Sequence, residues 1–215
     1  MEITTSFVAF IDILGFKGIV EKEKESGYKG ELLDSLFDCH VECQRIFGKK
    51  QIELTQFSDS IVISKLYHKE GFDDFVSAVS LYQKHLIKNG FLCRGGVVIN
   101  KHYSSNSFIF SPALIDAYFV ESEKAIYPRV VVSSDVVDLL FPNGQVPDLL
   151  VKEYDGLHFV NYLQGEHDDL FVNKISGIVK SCIASKSTSI IQKGIWLANY
   201  CDRAIGTSLS PERFS

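Results

Sequence analysis

FVAFIDILGF, residues 7–16, decides how the rest of the chain is read. Five apolar residues lead to one carboxylate at Asp12, two more apolar residues follow, and Gly15 and Phe16 close the stretch. Its length and its Val, Ile and Phe content predict a buried strand over residues 6–13. A carboxylate therefore stands where the apolar burial stops, directly before a glycine that lets the backbone turn sharply.

Working outward, apolar residues at Leu32, Leu33, Leu36, Phe37, Val41 and Ile46 recur at helical spacing and predict a helix over 29–48. QIELTQFSDSIVIS, residues 51–64, reads as a hairpin turned at Ser58 and Asp59, which puts an acid at its tip. A second amphipathic helix runs from Phe72 to Lys88 and stops at Asn89–Gly90, as helix C-termini prefer. A strand is expected from Cys93 to Ile99, with Ser104 to Phe110 as its hairpin partner. Ser111–Pro112 is a helix start, the helix reaches about Ala125, Pro128 closes it, and Val130–Val132 form another strand. The order is β-α-β-β-α-β-β-α-β, without internal repeats. Beyond residue 149, LLVKEY and LHFVNY suggest a short hairpin turned by Asp155–Gly156, and two helical stretches follow at 167–184 and 187–205. One domain over 1–215 is expected, with a core at 1–145 and a C-terminal hairpin and helical extension at 146–215, whose role is packing on the sheet or a subunit contact. The run EKEKES at 21–26 reads as a solvated face or loop.

Composition narrows the function classes. At 215 residues and 46% hydrophobic content the chain can bury a sizeable core. Its net charge of −5 gives no general electrostatic reason to bind nucleic acid. The five cysteines, odd in number and without a CxxC pair, indicate neither a disulfide framework nor a zinc ribbon, and read as reduced thiols. No stretch approaches the roughly 18 apolar residues that span a bilayer, and MEITTS opens with an acid rather than with basic residues; a cytoplasmic protein is expected.

Chemistry is sought where charges interrupt the apolar runs. If the strand bearing Asp12 and the hairpin bearing Asp59 share a sheet, two carboxylates meet, and their repulsion calls for a divalent cation. Oxygen ligands select Mg²⁺ or Mn²⁺, and magnesium commonly takes one or two carboxylates and leaves its other positions to phosphate and water. Read singly, each acid is an ordinary turn or cap residue. CRGGVVIN adds Arg94, whose guanidinium suits a phosphate oxygen pair or an acid from a nearby helix, followed by two glycines that leave room for close approach to the backbone. The six histidines show no metal or triad spacing and read as surface or packing residues, His102 being the least secure of them. Glu166, Asp168 and Asp169 read as a solvated helix start.

Taken in order, FVAFIDILGFKG, QFSDSIVIS, CRGGVVIN and SPALIDAYFVESEKAIYPRVVVS resemble the class III nucleotidyl cyclase family over residues 6–133. The last segment is most similar to the bacterial pyrimidine cyclases of the Pycsar antiphage systems. The resemblance implies an α+β, ferredoxin-like domain, a mostly antiparallel sheet with helices packed on it, plus C-terminal helices. It makes Asp12, Asp59 and the Ile13 carbonyl ligands of two Mn²⁺ or Mg²⁺ ions per site. The N–H groups of Leu14, Gly15 and Phe16 would face the triphosphate, and Arg94 would reach phosphates from the second subunit of a homodimer with sites across the interface. The implied reaction makes a 3′,5′-cyclic nucleotide and pyrophosphate, the cyclic product acting on a separate effector in antiphage defence.

Departures from the family refine this. Where purine cyclases place an adenine-reading lysine this chain has Thr55, whose hydroxyl suits the polar edge of a smaller base and can serve UTP or CTP alike; the resemblance, broadly to uridylate cyclases, implies UTP. Ile115 and Phe119, with Asp116 and Tyr118 nearby, stand where an asparagine and an arginine are expected; Lys101, Lys124, Arg129 or metal would then meet the transferring charge. A catalytically silent, nucleotide- or partner-binding cyclase-like domain is the alternative. A diguanylate-cyclase or polymerase-like enzyme is disfavoured because no GGDEF-type loop occurs at Gln56–Ser60.

Overall fold

The computed structural model describes residues 2–105 and 107–212. The elements in chain order are β1 (Thr4–Ile13), α1 (Phe16–Glu25), α2 (Glu31–Gly48), β2 (Glu53–Phe57), β3 (Ser60–Leu66), α3 (Phe72–Lys88), β4 (Cys93–Ser105), β5 (Phe108–Phe110), α4 (Pro112–Lys124), β6 (Val130–Val132), α5 (Ser134–Leu140), β7 (Leu150–Lys152), β8 (His158–Val160), α6 (Asp169–Ile183) and α7 (Thr188–Ile205). One sheet runs β2-β3-β1-β4-β6-β8-β7, and β5 pairs with the outer end of β4. Among the described residues only β4 and β6 pair in parallel. The first four strands, ordered β2-β3-β1-β4 with antiparallel neighbours, form the expected α+β, ferredoxin-like unit.

β1 is central and covered on both faces. Phe7, Ala9, Ile11 and Ile13 pack with α2 and α3, while Val8 and Phe10 pack under Ala113, Ala117 and Val120 of α4. Double coverage removes the polar-apolar alternation of a half-exposed strand, which is why residues 7–11 read as an unbroken apolar run. Asp12, two residues beyond Phe10, falls on the α4 side.

Gly95 and Gly96 have a different use from the one expected. A Cβ on Gly96 would collide with the Ala117 carbonyl and lie 2.7 Å from the Val120 Cβ, and one on Gly95 would press on the Phe10 carbonyl. Strand β1 and helix α4 occupy the space that the sequence left open for a ligand. Gly96→Ala is therefore expected to destabilise the fold by about 1–3 kcal/mol through overpacking. Urea denaturation checks this, and an unchanged midpoint would mean that α4 lifts off β4 at little cost.

Several boundaries shift. Helix α1 occupies residues read as loop, and within EKEKES only Glu23 is buried. The buried face of α2 carries Leu36, Cys39, Cys43 and Phe47, so Leu33, Phe37 and Val41 point outward. Ser104 and Ser105 belong to β4, leaving β5 shorter, and α5 was unanticipated. Ser111 caps α4 as expected, its hydroxyl accepting the Leu114 N–H at 2.9 Å. The buried His102 holds that hydroxyl through Nδ1 at 2.7 Å. The β7–β8 hairpin, turned on Gly156, continues the sheet beyond β6. Helices α6 and α7 pack Phe171, Ile175, Val179, Leu197 and Ala198 against Ile87 of α3 and Phe159 of β8. All five cysteines are unpaired. No helix among the described residues is long and apolar enough to cross a membrane.

Candidate active site

Strand register assembles the site. In β1, Asp12 lies opposite Ser60 of β3 on one side and Arg94 of β4 on the other. Ser58 adopts a left-handed conformation (φ 58°) in the β2–β3 turn, and the Gln56 amide donates to its carbonyl at 3.1 Å. This turn brings the Asp59 carbonyl within 3.1 Å of the Ile13 N–H. Asp12, Ile13, Asp59 and Arg94 are thus gathered at one end of three adjacent strands.

The electrostatics of this end are unbalanced. Arg94 Nε sits 2.6 Å from Glu121 Oε1 of α4 and 3.6 Å from Asp12 Oδ2. The contact with Glu121 is an ion pair by distance without an aligned hydrogen bond. Burial raises the Asp12 carboxyl above its ordinary range, the charge of Asp59 raises it further, and Arg94 pulls it back. Glu121 is raised in the same way, first by burial, against Arg94 and with help from Asp12. Arg94 faces two acids, and Asp59 adds a third negative charge acting on Asp12, a surplus that a cation would relieve. Among the described residues no three His, Cys, Asp or Glu side chains converge to enclose an ion. That arrangement suits Mg²⁺ or Mn²⁺ held by Asp12 and Asp59 with substrate oxygens and water completing the shell.

Two site expectations need correction. The Leu14 N–H donates to the Leu92 carbonyl at 2.8 Å, because β1–β4 pairing continues one residue past the strand, so it does not face a phosphate. Gly15 and Phe16 do stand at a helix start: Gly15 (φ 77°) precedes α1 and its carbonyl accepts the Gly18 N–H. The first N–H groups of a helix have no intrahelical acceptor. Arg94, expected to act from a second subunit, lies beside Asp12 of its own chain.

Thr55 is elsewhere. It lines a cavity of about 610 Å³ with Phe57, Ser105, Phe108, Phe110, Ser111 and Ile115, and neither Asp12, Asp59 nor Arg94 borders that space. Ile115 and Phe119 are exposed on α4. Of the three cations proposed to meet the transferring charge, Arg129 is fully buried and bound by Glu153 and Asp155. Lys101 pairs in register with Thr5, seven residues along β1 from Asp12, or roughly 23 Å at the rise of a strand. Lys124 borders a separate cavity with Asp116 and Asp135. Sequence reasoning missed Glu121 and also Lys193 of α7, an amine lowered first by burial and then by the positive charge of Arg94. The helical stripe Ala113, Ala117, Val120 carries Glu121 inward, a signal that could have found it.

No family model and no curated protein matches this sequence. Solved structures do match. The catalytic core of a rhodopsin-guanylyl cyclase with converted specificity, in complex with ATPalphaS, gives a TM-score of 0.53 at 15% identity over 74% of this chain and 97% of that one. The monomeric guanylyl cyclase domain of the RhoGC fusion protein from the aquatic fungus Blastocladiella emersonii gives 0.52 at 12% identity over 74% and 96%. The chain shares the fold of cyclase catalytic domains, a mixed sheet with packed helices.

Proposed function

We propose that this protein is a metal-dependent nucleotidyl cyclase that converts UTP or CTP into the 3′,5′-cyclic monophosphate and pyrophosphate. The observation that carries the reading is the convergence of Asp12 and Asp59 at one end of the sheet, beside Arg94, on a fold shared with cyclase catalytic domains. In the reaction the ribose 3′-oxygen forms a bond to the α-phosphorus, the bond from that phosphorus to the oxygen bridging to the β-phosphorus breaks, and the 3′-hydroxyl proton passes to solvent. Mn²⁺ or Mg²⁺, two ions per site, held by Asp12, Asp59 and the Ile13 carbonyl, would neutralise charge on the phosphate and 3′-oxygens. Arg94 holds Asp12 and Glu121 in place until a phosphate competes for its guanidinium.

Support for a pyrimidine comes from the second cavity. The Thr55 hydroxyl shares it with Phe57, Phe108 and Phe110, which offers a hydrogen bond and flat apolar contact to a small base. Because that cavity does not meet the acids within one chain, the reading requires a homodimer in which the base half of one subunit faces the acid half of its partner. Exposed Phe57, Phe108, Phe110, Ile115, Tyr118 and Phe119 supply apolar surface for such a contact. The Pycsar-like segment at residues 111–133 supports a second messenger read by a separate effector during antiphage defence. The tie between Arg94 and Glu121, with Ile115 and Phe119 in place of polar groups, is what favours the alternative of a silent, nucleotide-binding domain.

Incubation with each nucleoside triphosphate and Mn²⁺, followed by analysis for cyclic product and pyrophosphate, tests the proposal. Turnover of UTP or CTP is expected. Selective ATP turnover would overturn the Thr55 argument, and no product from any triphosphate would leave the silent domain.

A further inference from the structure

A cavity of about 640 Å³ opens between the turn that follows β1 and the two C-terminal helices. Leu14 and Gly15 form one wall, and Lys174 of α6 and Lys193 of α7 stand on the other. No Asp or Glu lines it, and neither lysine enters an ion pair among the described residues. In a chain of net charge −5, two amines without a counterion share one concavity.

Both amines are placed by their neighbours. Lys193 Nζ donates to Ser189 Oγ at 2.7 Å, one turn earlier on α7. Lys174 lies over the α3–β4 turn, its Nζ 3.6 Å from the position a Cβ would take on Gly90. Lys193 also lies within electrostatic reach of Arg94, whose charge, after burial, holds its amine below the ordinary lysine range. Arg94 in turn contacts Asp12. Positive charge therefore extends from the acid cluster into the cavity, an order that matches a triphosphate whose α-phosphate lies at the acids and whose β- and γ-phosphates lie beyond them. Apolar walls at Leu92, Ile178 and Ile190 lower the local dielectric and strengthen such contacts. A wholly apolar occupant would instead strip water from two amines without replacing it.

We propose that Lys174 and Lys193 bind the two phosphates that depart as pyrophosphate, so that the C-terminal helices supply, from the same chain, positive charge that Arg129 and Lys101 do not. This rests on the cyclase reading, and the test separates the two. Binding of inorganic pyrophosphate and tripolyphosphate with Mg²⁺ is measured by calorimetry on the full chain and on Lys174→Gln, Lys193→Gln, the double variant and Lys193→Arg, with melting curves to confirm folding and KM and kcat for UTP and CTP. Each glutamine variant is expected to weaken pyrophosphate about tenfold, the worth of one hydrogen bond to a charged group, with the double variant weaker still and Lys193→Arg close to wild type. KM is expected to rise along with these changes. Turnover by the wild type with pyrophosphate affinity and KM unaltered in the double variant would overturn the lysine site and leave the cyclase standing. Lysine-dependent pyrophosphate binding without turnover of any triphosphate would keep the site and remove the cyclase. A wild type that binds neither anion would overturn the site outright.

Discussion

Asp59→Asn is expected to lower cyclic-nucleotide formation by at least on the order of 10²–10³, the range seen when one preorganised charge-stabilising group is lost from an active site. The substitution is nearly isosteric, and the backbone carbonyl of residue 59 still accepts the Ile13 N–H, so the β2–β3 turn keeps its geometry. What changes is charge. Asp59 is the second cause, after burial, of the raised Asp12 carboxyl. A carboxyl raised in the folded state gives stability that is present below its unfolded value and lost as pH rises through the folded value. At neutral pH the ionised Asp12 is thus a strained charge in the metal-free fold, and Asp59→Asn relieves part of that strain. The variant is expected to melt no lower than wild type without metal, while Mn²⁺ raises the wild-type midpoint and leaves the variant's nearly unmoved. Turnover within tenfold of wild type in Asp59→Asn would sink the two-carboxylate site.

The three residues that carry this prediction were legible because each interrupts an apolar pattern: Asp12 at the end of a doubly covered strand, Asp59 at a turn between two strands, and Arg94 at the start of a third. Alternation and turn chemistry are local, and antiparallel pairing converts them into one place in space. Glu121 was marked only by its place in the inward stripe of α4, and Lys174 and Lys193 by no local pattern, because their proposed site depends on how α6 and α7 pack. Helix α1 was hidden by a short, strongly polar sequence, FKGIVEKEKE, in which only Phe16, Ile19 and Val20 are large and apolar. The inward face of α2 also carries Cys39 and Cys43, small core side chains outside the apolar recurrence that predicted the helix. Leu14 shows how fine the limit is. One further rung of strand pairing, to Leu92, removed its N–H from the candidate phosphate site.

Arg129 is the plainest case of a residue whose chemistry sequence reading misplaced. As a free cation it suggested a role at the phosphate, yet its acids stand 24 and 26 residues away in the β7–β8 hairpin. Its Nη1 donates to Glu153, and its Nη2 donates to Asp155 at 2.6 Å and to the Lys124 carbonyl at 3.1 Å. Trp196 of α7 donates to the other Glu153 oxygen at 2.8 Å and stacks on Tyr127. One guanidinium thereby joins the end of α4, the start of β6, the β7–β8 hairpin and α7. Removing it leaves Glu153 beside a buried void and Asp155 without its partner, so Arg129→Ala is expected to lose about 3–5 kcal/mol. At about 2–4 °C per kcal/mol for a chain of this size, the thermal midpoint should fall by about 6–20 °C. Arg129→Lys should recover little, because a single ammonium cannot fork to two carboxylates and a carbonyl. The acid side of the stability curve gives a second readout. Burial alone would raise the Asp155 carboxyl, but hydrogen bonds from Arg129 and the Leu157 N–H outweigh it and hold the group low. Stability from Asp155 is accordingly present above its unfolded value and lost as pH falls through the folded value. In Arg129→Ala much of that acid-side loss should vanish together with the stability itself. A variant that melts within 2 °C of wild type, roughly the effect of a single kcal/mol, would show that the buried cation is dispensable to the fold and return Arg129 to the search for a phosphate ligand.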